Sequence, residues 1–512
     1  MKEKFEKIFN KLIYIIEFII SIILVKQGLY VLTKKTIEKY YPLNQTIITG
    51  ILGILLLGII IYVCIKNKDY IEKIFIAFAI PMSVAYALLI LPFNVPDEGS
   101  HLIRAYDISI GHIFTQIDED GEAYSTLVQA LEYYPPERFQ DYKSVENEIT
   151  QKTDYSQETK IITPALANSP ILYLGTVLGL IIGRLFNINF IIAIYLARLI
   201  NAIIFLIFGY FTIKKLPFGK LVMAVYLCMP MMLQQAASCS ADAILNAVLI
   251  YYIAHLIYMT FKETEITRKD KIILYIFTAL VAMFKYVYIL VAGILFITIF
   301  DKKENKKEKL KTVGIMILIG SIFAISWFAF TSRYNSSADV TVEYNKVSNV
   351  DTAQQINYIK ENPIRFIKTL IKEYIYYGPD YIFGAVGKDL GWLNVEVDMS
   401  IIVPYIIILI LATISEKSKY EFSIKSKIWI IAIILAISAL LKISMYVCFT
   451  PVGLEKICGV QGRYYTPILI LALLCLVKKD NNWNIKNANQ KMMAMSMILN
   501  IATLLTVFRN YV

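Results

Sequence analysis

Charge is scarce here: Asp, Glu, Lys and Arg make up only 18% of 512 residues. A chain so poor in charge is not a disordered polyelectrolyte. With 3 His and 6 Cys, and no CxxC spacing, it has no zinc ribbon and no dense disulfide framework. Cys64, Cys228, Cys239 and Cys475 fall in or beside apolar segments, which leaves Cys448 and Cys458 as the pair that could meet in one loop. There is no Gly-rich phosphate loop, Ser/His/Asp arrangement, low-complexity tract or internal repeat. What fills the chain is apolar: 57% hydrophobic residues, 36 Tyr and 27 Phe, with a mean hydropathy of +0.58. Runs such as 8–32, 46–65 and 71–91 reach the ~20 residues needed to cross a bilayer, and similar runs recur toward the C-terminus. These features exclude a soluble enzyme and predict an all-α, polytopic integral membrane protein.

The net charge of +11 would suggest nucleic acid in a soluble protein, but here the Lys residues sit in short linkers between apolar runs. Clusters occur at the N-terminus and at 66–73, 214–220, 262–271, 302–311, 417–427 and 478–491. The positive-inside rule makes these cytoplasmic and puts the two long polar stretches, 93–162 and 331–398, outside. The first holds 14 Asp or Glu against 5 Lys or Arg, which suits an outer surface. Two segments must then be unusual. Residues 164–182 are placed as a helix lying on or dipping into the outer leaflet. Residues 272–299, with basic linkers at both ends, are placed as a helical hairpin with Lys285 near its outward tip. Counting both arms gives about 13 spans, N-terminus inside and C-terminus outside. The first span reads as an uncleaved helix. The predicted organisation is two extra spans in 1–70, a membrane core in 71–478 with outer loops at 93–187 and 331–398, and a last span in 479–512. Residues 351–377 carry apolar side chains at helical spacing and predict an amphipathic helix on the membrane surface.

The densest polar cluster at a membrane boundary is Pro92 to Arg104. Asn94 can cap a helix and Pro96 suits its first turn, so Asp97 and Glu98 would sit at its positive end. Asp97, His101 and Arg104 are spaced to share one face. There an aspartate could deprotonate an acceptor hydroxyl while a cation steadies a phosphate, though an ordinary acidic helix start explains the same spacing. Asp242 opens a helix after a Ser-rich turn, where capping alone would account for it. Lys285 is an ammonium in an otherwise apolar hairpin; it serves either a polar site or simple snorkelling. Gln461, Arg463 and Tyr464, entering from outside, could bind phosphate or sugar, or anchor the interface. Glu17, Lys26 and Lys442 read as structural charges that pair across helices.

Together, Val95-Pro96-Asp97-Glu98 with His101 and Arg104, the stretch from Pro230-Met231 to Asp242, and Gly459-Val460-Gln461-Gly462-Arg463-Tyr464 resemble the bacterial membrane family known only as domain of unknown function 2142. The similarity spans roughly residues 75–477. That family looks like a branch of the C-type (GT-C) glycosyltransferase superfamily. The resemblance implies a GT-C-like bundle whose first outer loop begins with a catalytic acid and continues into juxtamembrane helices, the second of them around Asn168 to Tyr173. It implies a polyprenyl-phosphate-linked sugar donor and transfer with inversion. Asp97 then matches the catalytic position with Glu98 as neighbour or substitute, and Arg463, Arg104 and Lys285 are candidates for the leaving phosphate by charge and location. His101, Asp242, Gln461 and Tyr464 complete the expected substrate-binding set. No cofactor is called for, although a divalent metal is known in some relatives of the superfamily.

The leading expectation is therefore a glycosyltransferase on the outer face of a bacterial cytoplasmic membrane. Without the soluble outer domain of many superfamily members, its expected acceptor is a lipid-linked or surface glycan of the cell envelope. A flippase or transporter of a lipid-linked glycan, or a polysaccharide polymerase, are the alternatives. A transporter would be expected to show inverted repeats and ionisable residues near mid-membrane.

Overall fold

Long runs of Ile, Leu, Val and Phe, each closed by Lys, Asn or Pro, lay down helices, because in lipid every backbone amide must find its partner within the segment. The computed structural model describes residues 2–128, 139–300, 305–334, 349–479 and 485–512. Parts of both outer stretches (129–138 and 335–348) and of two basic linkers (301–304 and 480–484) lie outside the described residues.

Among the described residues, eight helices are long and apolar enough to cross a membrane: Leu12–Thr36, Leu43–Lys66, Ile71–Leu89, Phe190–Lys215, Asp242–Phe261, Lys306–Tyr334, Ile424–Phe449 and Ala488–Asn510. Burial separates an inner layer from an outer one. The apolar windows of Ile71–Leu89 and Asp242–Phe261 are 83% and 89% buried, against 17% for Leu12–Thr36, Leu43–Lys66 and Lys306–Tyr334. The two inner helices thus form the centre, and the first two helices of the chain pack on its outside through Ile71–Leu89. Between them, Lys220–Leu227 and Pro230–Ala236 form a broken helix buried from Leu221 on, interrupted where Pro230 removes a backbone donor.

The segment from residue 164 is not one continuous helix. Two 3-10 turns, Pro164–Ala167 and Pro170–Tyr173, lead into helix Leu174–Leu185, which pairs antiparallel with the first half of Phe190–Lys215. A side chain at Gly179 would bring its Cβ to 2.4 Å from the Cα of Ala197, so only glycine permits this spacing. At 12 residues, or ~18 Å, this helix is too short to span.

Helix Arg268–Phe284 starts on a Thr267–Asp270 capping box and stops at Lys285. The chain then continues as an 11-residue 3-10 helix, Tyr286–Phe296, that packs back against it. The predicted surface helix over 351–377 is two helices, Thr352–Glu361 and Pro363–Val386. Proline fits the first turn of a helix but breaks one from within, so the apolar spacing alone misreads this segment. In Pro363–Val386 the buried residues include Thr369 and Glu373, while Ile364, Ile367, Ile371 and Ile375 are exposed on the opposite side.

The polar loops add two small sheets that the all-α expectation does not contain. Ala123–Val128 pairs antiparallel with both Gln116–Ile117 and Glu158–Ile161, in register Ser125 to Ile161, and Asp389–Leu390 pairs with Val395–Glu396. All six cysteines are free, including Cys448 and Cys458. The buried Glu17 carboxylate has no hydrogen-bond partner among the described residues. Lys442 sits among the rings of Tyr374, Tyr381 and Tyr465, within electrostatic reach of Glu373.

Candidate active site

Asn94-Val95-Pro96-Asp97 turns the chain from helix Ile71–Leu89 into helix Glu98–Ser109. Asn94 does not cap that helix; its amide donates to the carbonyls of Phe139 and Pro92, at 2.9 and 3.3 Å. Asp97 takes the cap position in a left-handed conformation, φ 61°, without a side-chain cap hydrogen bond. This torsion, uncommon for a residue with a side chain, separates two adjacent carboxylates. Asp97 faces a cavity, and Glu98 faces the protein interior.

Five segments of the chain converge on that cavity. Arg463, on the 3-10 turn Gly462–Tyr465, pairs with Asp97 through Nη2 and with Asp242 through Nη1 at 3.2 Å. Its Nη1 also donates to the Pro96 carbonyl, and its Nε to Gln461 Oε1 at 2.6 Å. Gln461 thus orients the guanidinium from behind. Lys285, at the break after Arg268–Phe284, reaches Asp242 at 3.7 Å and lies over the Tyr464 ring, 4.9 Å from its centroid. The side chains of Asp97 and Lys285 are 49% and 37% exposed, against 2% for Arg463. The guanidinium is therefore fixed, and the carboxylate and the ammonium remain accessible.

On the third wall, His101 Nδ1 meets the Tyr173 hydroxyl at 2.8 Å, and that hydroxyl accepts from Asn168 at 2.9 Å. The Tyr173 proton is then free to point at His101. Burial holds the His101 imidazole down at about 4, so it is neutral at pH 7 and can accept that proton. The cavity measures about 200 Å³, less than the ~300–1,000 Å³ of clefts that enclose whole drug-sized ligands. It suits one small polar group, such as a phosphate or a single sugar ring.

Two residues of the predicted set lie elsewhere. Glu98 is completely buried and satisfied: Arg198 donates to both its oxygens, at 2.8 and 2.5 Å, and the amides of Phe93 and Cys239 donate at 3.0 and 2.9 Å. Arg104 does not line the cavity. It pairs with Asp107 at 2.8 Å and donates to the carbonyls of His112 and Ile113. Asp107 in turn accepts from the Thr126 amide, so this pair ties helix Glu98–Ser109 to the outer sheet. Sharing a helical face with Asp97 in a wheel projection was therefore not enough to bring Arg104 to the site.

Arg198 escaped the sequence reading, although an arginine inside the apolar run Phe190–Lys215 is itself a signal of a buried partner. Among the described residues, no three His, Cys, Asp or Glu side chains are grouped to hold a metal ion. Asp97 and Asp242 are the carboxylates that line the cavity, and Arg463 binds both.

The family model described as predicted membrane protein (DUF2142) matches residues 81–472. The chain belongs to the DUF2142 family. The DUF2142 region begins inside helix Ile71–Leu89 and ends inside Leu469–Leu474, so it contains every residue of the cavity. The first two apolar helices and the last one fall outside it. Neither curated proteins nor solved structures include a match to this DUF2142 chain.

Proposed function

We propose that this protein is a GT-C-like glycosyltransferase that moves a sugar from a polyprenyl-phosphate carrier to a glycan or lipid acceptor on the outer face of a bacterial cytoplasmic membrane. The observation that carries the reading is the accessible Asp97 carboxylate beside two cations, Arg463 and Lys285, on one small cavity. The acceptor hydroxyl gives its proton to Asp97 as its oxygen attacks the anomeric carbon. The bond from that carbon to the phosphate oxygen breaks, and the electron pair leaves with the phosphate. Arg463 and Lys285 stabilise the charge that develops there. Attack opposite the leaving group inverts the anomeric centre.

Arg463 engages both aspartates. An arriving phosphate competes for the guanidinium and loosens its hold on Asp97, which couples donor binding to release of the base. In this reading the eight long helices are joined by the broken helix 220–236, the two hairpin arms, Met399–Ser415 and the segment after Gly462 as shorter crossings, 13 in all, with the N-terminus inside and the C-terminus outside. All cavity residues then lie on the outer side.

The test is transfer of radiolabelled sugar from a panel of polyprenyl-phosphate sugars in membranes, comparing wild type with Asp97→Asn. Transfer by wild type and none by the variant is the expected result. No transfer from any donor, with labelled lipid crossing the membrane in both proteins, would replace the enzyme with a flippase.

A further inference from the structure

Two of the basic linkers meet at the mouth of an apolar groove that shares no residue with the charged cavity. Helix Leu43–Lys66 and the last helix, Ala488–Asn510, both pack on Ile71–Leu89. They leave between them a groove of about 670 Å³, with Phe78 of the shared helix in its lining. The groove is polar at one end only. Lys68, Asn487 and Gln490 line that end, and the rest, as far as Leu57 on one wall and Ile501 on the other, is apolar. Among the described residues, no acid lines it. Asn489 Nδ2 donates to the Lys68 carbonyl at 3.4 Å, so the linkers at 66–73 and 478–491 converge there. Leu57 to Lys68, and Gln490 to Ile501, each cover eleven positions. At 1.5 Å per residue that is ~16 Å, about half the ~30 Å hydrocarbon thickness. The groove is one leaflet deep.

Its polar groups are unspent. Lys66 donates to the Tyr62 hydroxyl at 3.2 Å and Lys73 to Asn67 at 3.0 Å, whereas the exposed Lys68 ammonium has no partner among the described residues. Asn487 holds the N-cap position of the last helix, yet its side chain makes no cap hydrogen bond. We infer that this groove binds an anionic phospholipid of the inner leaflet, with its phosphate at Lys68, Asn487 and Gln490 and an acyl chain along the apolar walls. The positive-inside rule puts the basic end on the cytoplasmic side. That leaflet carries anionic lipid, and basic pockets between helices hold such headgroups. A zwitterionic headgroup would bring a second ammonium to a mouth that has no acid to receive it. Both walls fall outside residues 81–472, so the lipid fastens the added N-terminal helices to the rest of the protein. None of this depends on the transferase reading of the cavity.

The experiment is native mass spectrometry of the full-length protein in detergent, titrated with phosphatidylglycerol and phosphatidylcholine of identical acyl chains. Wild type is expected to retain one phosphatidylglycerol at least fivefold more strongly than phosphatidylcholine. Lys68→Met removes that preference, a loss of about fivefold, which is the attraction of one ammonium at a membrane surface. Ala494→Leu, which narrows the apolar part of the groove, lowers retention of both lipids. Lys68 is exposed, so Lys68→Met remains informative should Ala494→Leu fail to elute as a folded species. Equal retention of the two lipids by wild type, an unchanged preference in Lys68→Met, or unchanged retention in folded Ala494→Leu would overturn the inference.

Discussion

Removing the Arg198 guanidinium tests how the two carboxylates divide their roles. Arg198 makes five donations, two to Glu98 and one each to the carbonyls of Ala87, Ile90 and Leu91, all fully buried. Arg198→Met leaves Glu98 with only the amides of Phe93 and Cys239 and strips three carbonyls of a donor at the end of helix Ile71–Leu89. Breaking a buried pair from one side costs about 3–5 kcal/mol, which in a protein of this size lowers the melting temperature by roughly 3–5 °C. Glu98→Gln is also costly, because all four of its partners donate and the amide nitrogen would face two of them, with the Arg198 charge left unpaired. The double variant should recover about 1–3 kcal/mol relative to the sum of the singles. The assay is thermal melting of purified protein in detergent, with sugar transfer measured on the fraction that remains folded. Two results would refute the reasoning: an Arg198→Met cost below about 0.5 kcal/mol, typical of a surface change, or loss of transfer by Glu98→Gln in a protein that melts like wild type.

The converse variant, Asp97→Asn, should melt close to wild type, because asparagine accepts the same backbone torsion, yet lose about 10²–10⁴-fold in transfer rate. Lys285→Met should raise the donor KM tenfold or more while moving the melting temperature little, since its pair with Asp242 spans 3.7 Å and the side chain is 37% exposed; an unchanged KM would remove Lys285 from the phosphate site. His101 has a folded-state value of about 4, below its ordinary ~6.5. The stability it contributes is complete above about pH 6.5 and is lost as pH falls toward 4, so His101→Gln should flatten the fall in melting temperature over that window, and equal slopes would contradict it. Gly462→Ala places a Cβ 2.5 Å from the Ala385 amide nitrogen, a backbone atom, so it should weaken packing and displace the adjacent Arg463, lowering transfer more than a surface alanine would.

What was legible in the sequence follows from the high cost of charge in apolar surroundings. Asp97, Asp242, Lys285 and Arg463 each interrupt or border an apolar run, and the structure gathers all four on one cavity. What was not legible depends on torsion and distance. Asp97 and Glu98 are indistinguishable as neighbours in a sequence, and one left-handed residue sends them to opposite environments. The partner of Arg198 lies 100 residues away, beyond any local periodicity. Arg104 satisfied a helical spacing that says nothing about how deep each side chain sits. The break at Asn362-Pro363 was written in the sequence, and apolar spacing across it concealed the break.

The left-handed backbone at position 97 also limits which substitutions the chain can explore. Asparagine and glycine accept that torsion with aspartate, whereas a β-branched residue does not, and the longer acid of Asp97→Glu tolerates it less readily. Among residues that fit, aspartate alone carries an ionisable acid. Asparagine is one nucleotide away in the genetic code, so on the transferase reading proposed above a lineage could lose catalysis without a folding defect. A survey of natural variants should therefore find silenced copies marked by Asn at this position and otherwise intact.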